Sequence, residues 1–95
     1  MSDTAEAERR EVYYSGRVQG VGFRYTVRTI ASRLAVSGFV KNLADGRVQM
    51  VAEGTADEIR RLLDAIDTEM GRYVADASVQ SGKPTGQFEG FAIRW

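Results

Sequence analysis

Asp45-Gly46 sits near the middle of the chain, between two runs of strand-forming residues, and this pair limits the possible folds more than any other local feature. Asp-Gly is a strong hairpin signal, because glycine takes up the positive φ that a tight turn demands. The flanking runs are therefore expected to lie antiparallel. The first opens at Gly38 and runs through Val40 to Leu43. The return run alternates: Val48, Met50 and Ala52 fall on one face, Gln49, Val51 and Glu53 on the other, and Gly54 ends it.

A helical pattern flanks this hairpin on each side. Phe23, Val27, Ile30, Ala31 and Leu34 recur at helical spacing, while Arg28, Ser32 and Arg33 fall elsewhere on the wheel, which predicts a helix from about Phe23 to Val36. After the hairpin, Thr55 and Glu58 have the spacing of a capping box. Ile59, Leu62, Leu63, Ile66 and Met70 then make an apolar stripe, and Gly71 suits the helix stop. Outside the helices, Val12 to Arg17 reads as a strand, with Tyr13 and Tyr14 on opposite faces. Tyr73, Ala75, Ala77 and Val79 alternate with Val74, Asp76, Ser78 and Gln80 as a fourth strand. A Gly- and Pro-containing loop at 81–86 follows, and Phe91, Ile93 and Trp95 mark a short closing strand.

The order β-α-β-β-α-β plus a terminal strand packs most simply as an α+β, ferredoxin-like sandwich, with two helices on one face of a four- to five-stranded, mainly antiparallel sheet. In 95 residues only one core fits. The domain is expected over residues 11–95, and the polar, mixed-charge stretch Met1 to Arg10 is expected to be a disordered lead-in.

The residues that are missing restrict the chemistry. The chain has no cysteine and no histidine, which removes disulfides, thiolate nucleophiles, the usual neutral-pH base and the commonest metal ligand. Lys plus Arg is 13 and Asp plus Glu is 13, so net charge gives no reason to expect nucleic acid or an anionic membrane as partner. No apolar run is long enough to span a bilayer and no secretory signal is evident, so a cytoplasmic protein is the expectation.

Gly16-Arg17-Val18-Gln19-Gly20-Val21-Gly22-Phe23-Arg24 links the first strand to the first helix. A loop that closes into a helix N-terminus points unpaired N–H groups and the positive end of the helix dipole at one spot, which suits an anion. Arg24 adds a planar fork that can hold two phosphate oxygens. The Gly-Lys-Ser/Thr ending of a nucleotide-binding loop is absent, and no carboxylate cluster offers a magnesium site. Singly, these residues have plain readings too: a Gly-rich turn can simply turn, Arg24 can be a solvated helix residue, and Asn42 can be a turn residue.

Together they resemble the acylphosphatase family. The run Gly16-x-Val18-Gln19-Gly20-Val21-x-Phe23-Arg24 is similar to that family's phosphate-loop signature. At typical residue frequencies, a chance match falls below roughly one in a million. Gly38-Phe39-Val40-Lys41-Asn42-x-x-x-Gly46-x-Val48, with Gly54 beyond it, is similar to the second signature, and Phe91-Ala92-Ile93-Arg94-Trp95 to the aromatic ending. Tyr14 and Trp95 depart from the pattern, standing where an aliphatic residue and Tyr are more usual.

The resemblance implies hydrolysis of small-molecule acyl phosphates to carboxylate and phosphate, without metal or cofactor. A monomer is a separate expectation about partners, and the sequence does not fix the oligomeric state. The resemblance also implies that the backbone N–H groups of Gly16, Arg17, Val18, Gln19, Gly20, Val21 and Gly22 cradle the phosphate, that Arg24 binds phosphoryl oxygens, and that Asn42 holds the attacking water. Arg17 and Lys41 border the expected site and are candidates for steering anions. The residue inventory agrees with such a substrate. A carboxylate leaving group has a conjugate acid near pKa 4 and needs little help from a general acid, whereas an alkoxide would need one. Two rivals stay open: a module that binds a phosphorylated effector without turnover, and an RNA-binding domain of the same fold, which neutral net charge disfavours.

Overall fold

Val40 pairs with Met50 and Asn42 with Val48, so the chain reverses between them as the Asp45-Gly46 pair predicts. The turn is closed by Leu43 N–H donating to Arg47 O at 2.8 Å and Gly46 N–H to Leu43 O at 3.2 Å. The computed structural model describes residues 6–95. The strands are β1 (Ala7–Gly16), β2 (Val36–Asn42), β3 (Val48–Thr55), β4 (Val74–Gly82) and β5 (Phe91–Arg94). The helices are α1 (Phe23–Ala31) and α2 (Ala56–Met70), and a 3-10 turn covers Gly71–Tyr73. The strands form one sheet in the order β4-β1-β3-β2-β5. Every pair is antiparallel except β2–β5, which is parallel. The architecture is the ferredoxin-like sandwich, with a fifth strand added beside β2.

Alternation decides which face is buried. Val12, Tyr14, Val40, Val48, Met50 and Ala52 point to the helices and meet Phe23, Val27, Ile30, Ile59, Leu62 and Ile66. Each large side chain so buried stabilises by about 1.5–3 kcal/mol. Tyr14 is part of this core, its ring 5.0 Å from that of Phe23. Burial, and then the nearby Asp67 charge, push its phenol far above the ordinary tyrosine range, so it stays neutral.

The opposite face is partly covered. β4 and β5 occupy the two edges, so segment 83–90 must cross the sheet. Phe88 packs on Phe39 with ring centroids 5.8 Å apart, and the Arg94 guanidinium lies 4.0 Å from the Phe39 ring. Glu53, only 5% exposed, ties the crossing segment down. It accepts hydrogen bonds from Thr85 N–H, Thr85 Oγ1, Gly86 N–H and Arg9 Nη1, all between 2.9 and 3.0 Å.

Several element boundaries differ from the sequence expectations. β1 begins at Ala7, so Ala7–Arg10, expected in a disordered lead-in, pair with β3 from Thr55 to Ala52. Met1 to Ala5 lie outside the described residues. The first helix ends at Ala31, short of Val36. Its end tightens through Arg33 N–H donating to Ile30 O and Leu34 N–H to Ala31 O, and Val36 is drawn into β2 opposite Gly54. Gly54 therefore lies within β3. A Cβ there would come within 2.7 Å of Ala35 O, so the missing side chain is what lets the chain pass close by.

Thr55 caps α2 by accepting from Glu58 N–H at 3.3 Å, but Glu58 does not complete the box. Its Oε1 accepts from Ala35 N–H at 2.8 Å and stitches the end of the α1 turn to α2. Gly71 keeps a right-handed φ of −57, so it ends the helix without the left-handed turn its position suggested.

Candidate active site

Val18 is fully buried and Phe23 is 2% exposed, and these two anchors hold the ends of a short arch. Between them lie Gln19, Gly20, Val21 and Gly22. Gly20 and Gly22 both have positive φ, near 80°, a left-handed conformation that a Cβ disfavours. Gly22 occupies the N-cap of α1 and, having no side chain, leaves the first turn uncapped. That turn also carries no acidic residue. Among the described residues, the N–H groups of Val18 to Gly22 have no protein acceptor. The arch therefore presents unpaired donors and the positive end of the helix dipole.

Gly16 and Arg17 lie outside this arch. Gly16 closes β1 against Val74 of β4 at an irregularity in the register. Its φ is 119°, and an added Cβ would come within 2.6 Å of Tyr73 O and Ala75 N. Arg17 N–H donates to Tyr73 O at 2.9 Å and is no longer free for a ligand. Both residues set the direction from which the arch leaves the sheet.

Asn42 reaches the site from the other segment. It follows Val40 and Lys41 at the end of β2, on the helix-facing side with Val40, beside the start of α1. Lys41 alternates to the far face, away from the site, so its position does not suit it to border the cavity. A small cavity of about 80 Å³ opens between the two segments. Val18, Gly20 and Gly22 line one side and Arg24 and Asn42 converge on it. A water needs roughly 10–15 Å³ of such space, so several waters or one tetrahedral anion can enter.

Two groups in this cavity lack the partners their chemistry calls for. Asn42 Oδ1 is buried with no hydrogen-bond donor among the described residues. A buried acceptor left so costs about 1–3 kcal/mol, which a ligand or water can recover. Arg24 meets no carboxylate among the described residues. Its guanidinium lies over the Trp95 ring, with Cζ 4.2 Å from the ring centre.

The remaining walls were not foreseen from sequence. Tyr25, Ile93 and Trp95 line the cavity as well. The parallel pairing of β5 with β2 matches Val40 to Ile93 and Lys41 to Arg94, which carries the next residue, Trp95, alongside Asn42. The alternation of Phe91, Ile93 and Trp95 was visible, but it does not say which neighbour β5 chooses. The Gln19 side chain was also missed. Its Nε2 donates to Leu43 O at 2.8 Å and to Arg47 O at 2.9 Å, bolting the arch to the β2–β3 turn.

Three comparisons with known proteins agree. The acylphosphatase family model matches residues 10–93. An acylphosphatase of Roseiflexus sp. strain RS-1 is 41% identical over 96 residues, covering 100% of both chains. One from Streptomyces coelicolor is 43% identical over 93 residues, covering 95% of this chain and 99% of the relative. The crystal structure of acylphosphatase from Bacillus subtilis superposes with a TM-score of 0.85 at 34% identity, covering 93% of this chain and 99% of that one. The two signatures, the shared fold and near-complete alignment at this identity lead to one conclusion: the chain belongs to the acylphosphatase family.

Proposed function

We propose that the protein hydrolyses acyl phosphates to a carboxylate and inorganic phosphate without a metal ion. The observation that carries this reading is the convergence of Arg24, the unpaired N–H arch and the orphaned Asn42 carbonyl on one small cavity.

The phosphoryl group sits in the arch formed by Val18 to Gly22, with Arg24 turned onto its oxygens. Gly16, paired with β4, and Arg17, whose N–H is spent on Tyr73 O, act as supports for that arch. A water donates one proton toward Asn42 Oδ1, which fixes its oxygen for in-line attack on phosphorus. The new bond joins the water oxygen to phosphorus, and the bond from phosphorus to the acyl oxygen breaks. The electron pair leaves on the carboxylate. Charge spread over the equatorial oxygens is held by Arg24 and the N–H groups, which are in place before reaction.

Among the described residues no carboxylate lines the cavity, and the chain has no histidine, so the water's proton passes to a phosphoryl oxygen of the substrate. Among the described residues no three carboxylate side chains gather into a metal site, and the mechanism calls for none. A leaving carboxylate needs no Lewis acid to depart, because its conjugate acid has a pKa of about 4. In the same reading the protein acts on a small-molecule substrate as a cytoplasmic monomer, with neither nucleic acid nor membrane as partner. No helix among the described residues is long and apolar enough to cross a membrane.

The test is release of phosphate from acetyl phosphate and benzoyl phosphate in excess chelator. Turnover well above the uncatalysed rate is the expected result. Tight phosphate binding without turnover would instead make the site a passive anion receptor.

A further inference from the structure

We propose that Tyr25 and Trp95 form an aromatic rim that binds the acyl part of the substrate and favours flat, apolar acyl groups. This rests on the acyl phosphate reading above. Three large apolar side chains are strongly exposed among the described residues: Tyr25 at 63%, Val79 at 51% and Trp95 at 86%. Two of the three line the same small cavity. An aromatic ring left in water beside a polar site offers apolar area that a bound group can cover.

The direction of attack sends the acyl group to that rim. In-line displacement puts water and leaving group on opposite sides of phosphorus. Asn42 Oδ1, which holds the water, is buried, whereas Tyr25 and Trp95 stand open to solvent on the same cavity. The acyl oxygen must then point outward, toward the mouth where the two exposed rings stand. Trp95 also stacks against a charged group of the site. Arg24 lies over one side of its ring at 4.2 Å, while the residue stays largely open to solvent. One ring thus adjoins both the phosphate-binding guanidinium and the path of the leaving group. Ile93, half-buried, lines the same cavity and adds to its apolar wall.

The experiment compares kcat/KM for benzoyl phosphate and acetyl phosphate in the wild-type protein and in Trp95→Ala, Trp95→Phe and Tyr25→Ala. The readout is the benzoyl-to-acetyl ratio, because loss of the Arg24 stack alone would slow both substrates alike. Each alanine variant is expected to lower the ratio by about 3- to 10-fold, the range of one aromatic contact. Trp95→Phe should restore most of it. Both positions are exposed, so circular dichroism should show an unchanged fold. A ratio unmoved in both alanine variants, with both substrates still hydrolysed, overturns the rim and leaves the proposed function standing. A wild-type protein inert toward both substrates overturns the function, and the rim falls with it.

Discussion

Gln19 Nε2 donates to Leu43 O at 2.8 Å, so one side chain of the Val18–Gly22 arch is fastened to the turn that follows Asn42. A second bond to Arg47 O at 2.9 Å doubles the tie. The donors of the arch and the carbonyl of Asn42 thus keep a set separation. Gln19→Ala removes both bonds. Each is worth about 0.5–1.5 kcal/mol net, so a loss of about 1–3 kcal/mol in urea unfolding is expected. Turnover should fall as well, by roughly tenfold or more, because a small misplacement of an orienting group is costly. Inhibition by inorganic phosphate should weaken less than kcat does. A kcat within twofold of wild type would show that the tie has no part in alignment.

Arg24→Lys keeps the charge and loses the planar fork. The stack on Trp95 depends on that plane, and so does the proposed two-oxygen contact with phosphate. A loss of roughly 10²-fold or more in kcat/KM is expected, by analogy with removing a donor aimed at developing charge. Arg24→Gln should be more severe and should also abolish inhibition by phosphate. If the lysine variant retained wild-type activity, a point charge would suffice and the bidentate role would be wrong.

Asn42→Ala removes the buried acceptor and leaves the arch and Arg24 intact. Turnover should drop by roughly 10²–10³-fold. Competitive inhibition by phosphate should persist, since the proposed contact is to water. The folded state should not lose much stability, because the carbonyl has no partner among the described residues to abandon. Loss of phosphate inhibition together with turnover would assign Asn42 a structural role.

Glu53 links stability to acid. Burial raises its pKa, but the Thr85 and Gly86 N–H groups, the Arg9 guanidinium and the Thr85 hydroxyl together outweigh burial and hold the carboxyl below its ordinary value. A carboxylate depressed in the folded state stabilises fully above its unfolded value, near about 4.3. That contribution is lost as pH falls through the lower folded value. Urea midpoints measured from pH 7 down to pH 3 should decline on the acid side. Glu53→Gln should lose about 1–3 kcal/mol at pH 7, since bonds to a charged acceptor are replaced by weaker ones. It should also flatten the acid limb. An equally steep limb in the glutamine variant would place the acid sensitivity elsewhere.

The local pattern carried much of the architecture. Alternation along β3 and the helical stripes of α1 and α2 are short-range signals set by side-chain period, and they placed the core residues on the correct faces. Element ends were less legible, because partners distant in sequence decide them. Glu58 leaves its own helix cap for Ala35 N–H, and Gly54 stays in the sheet by letting Ala35 pass. Arg24 and Asn42 could be named as a pair from the two signatures. That Arg17 N–H is spent on Tyr73 O, and that Gln19 spans to the hairpin turn, could not.

By itself the sequence determined the period of each element, the positive-φ glycines of the arch, and a chemistry that must work without histidine or cysteine. Tertiary structure alone decided that β5 runs parallel beside β2, and so which side chains close the cavity. A strand's alternation fixes only which residues share a face. Its neighbour is set by the free energy of whole-sheet packing, in which residues far apart in the chain compete for the same edge, and that competition brought Trp95 to Arg24.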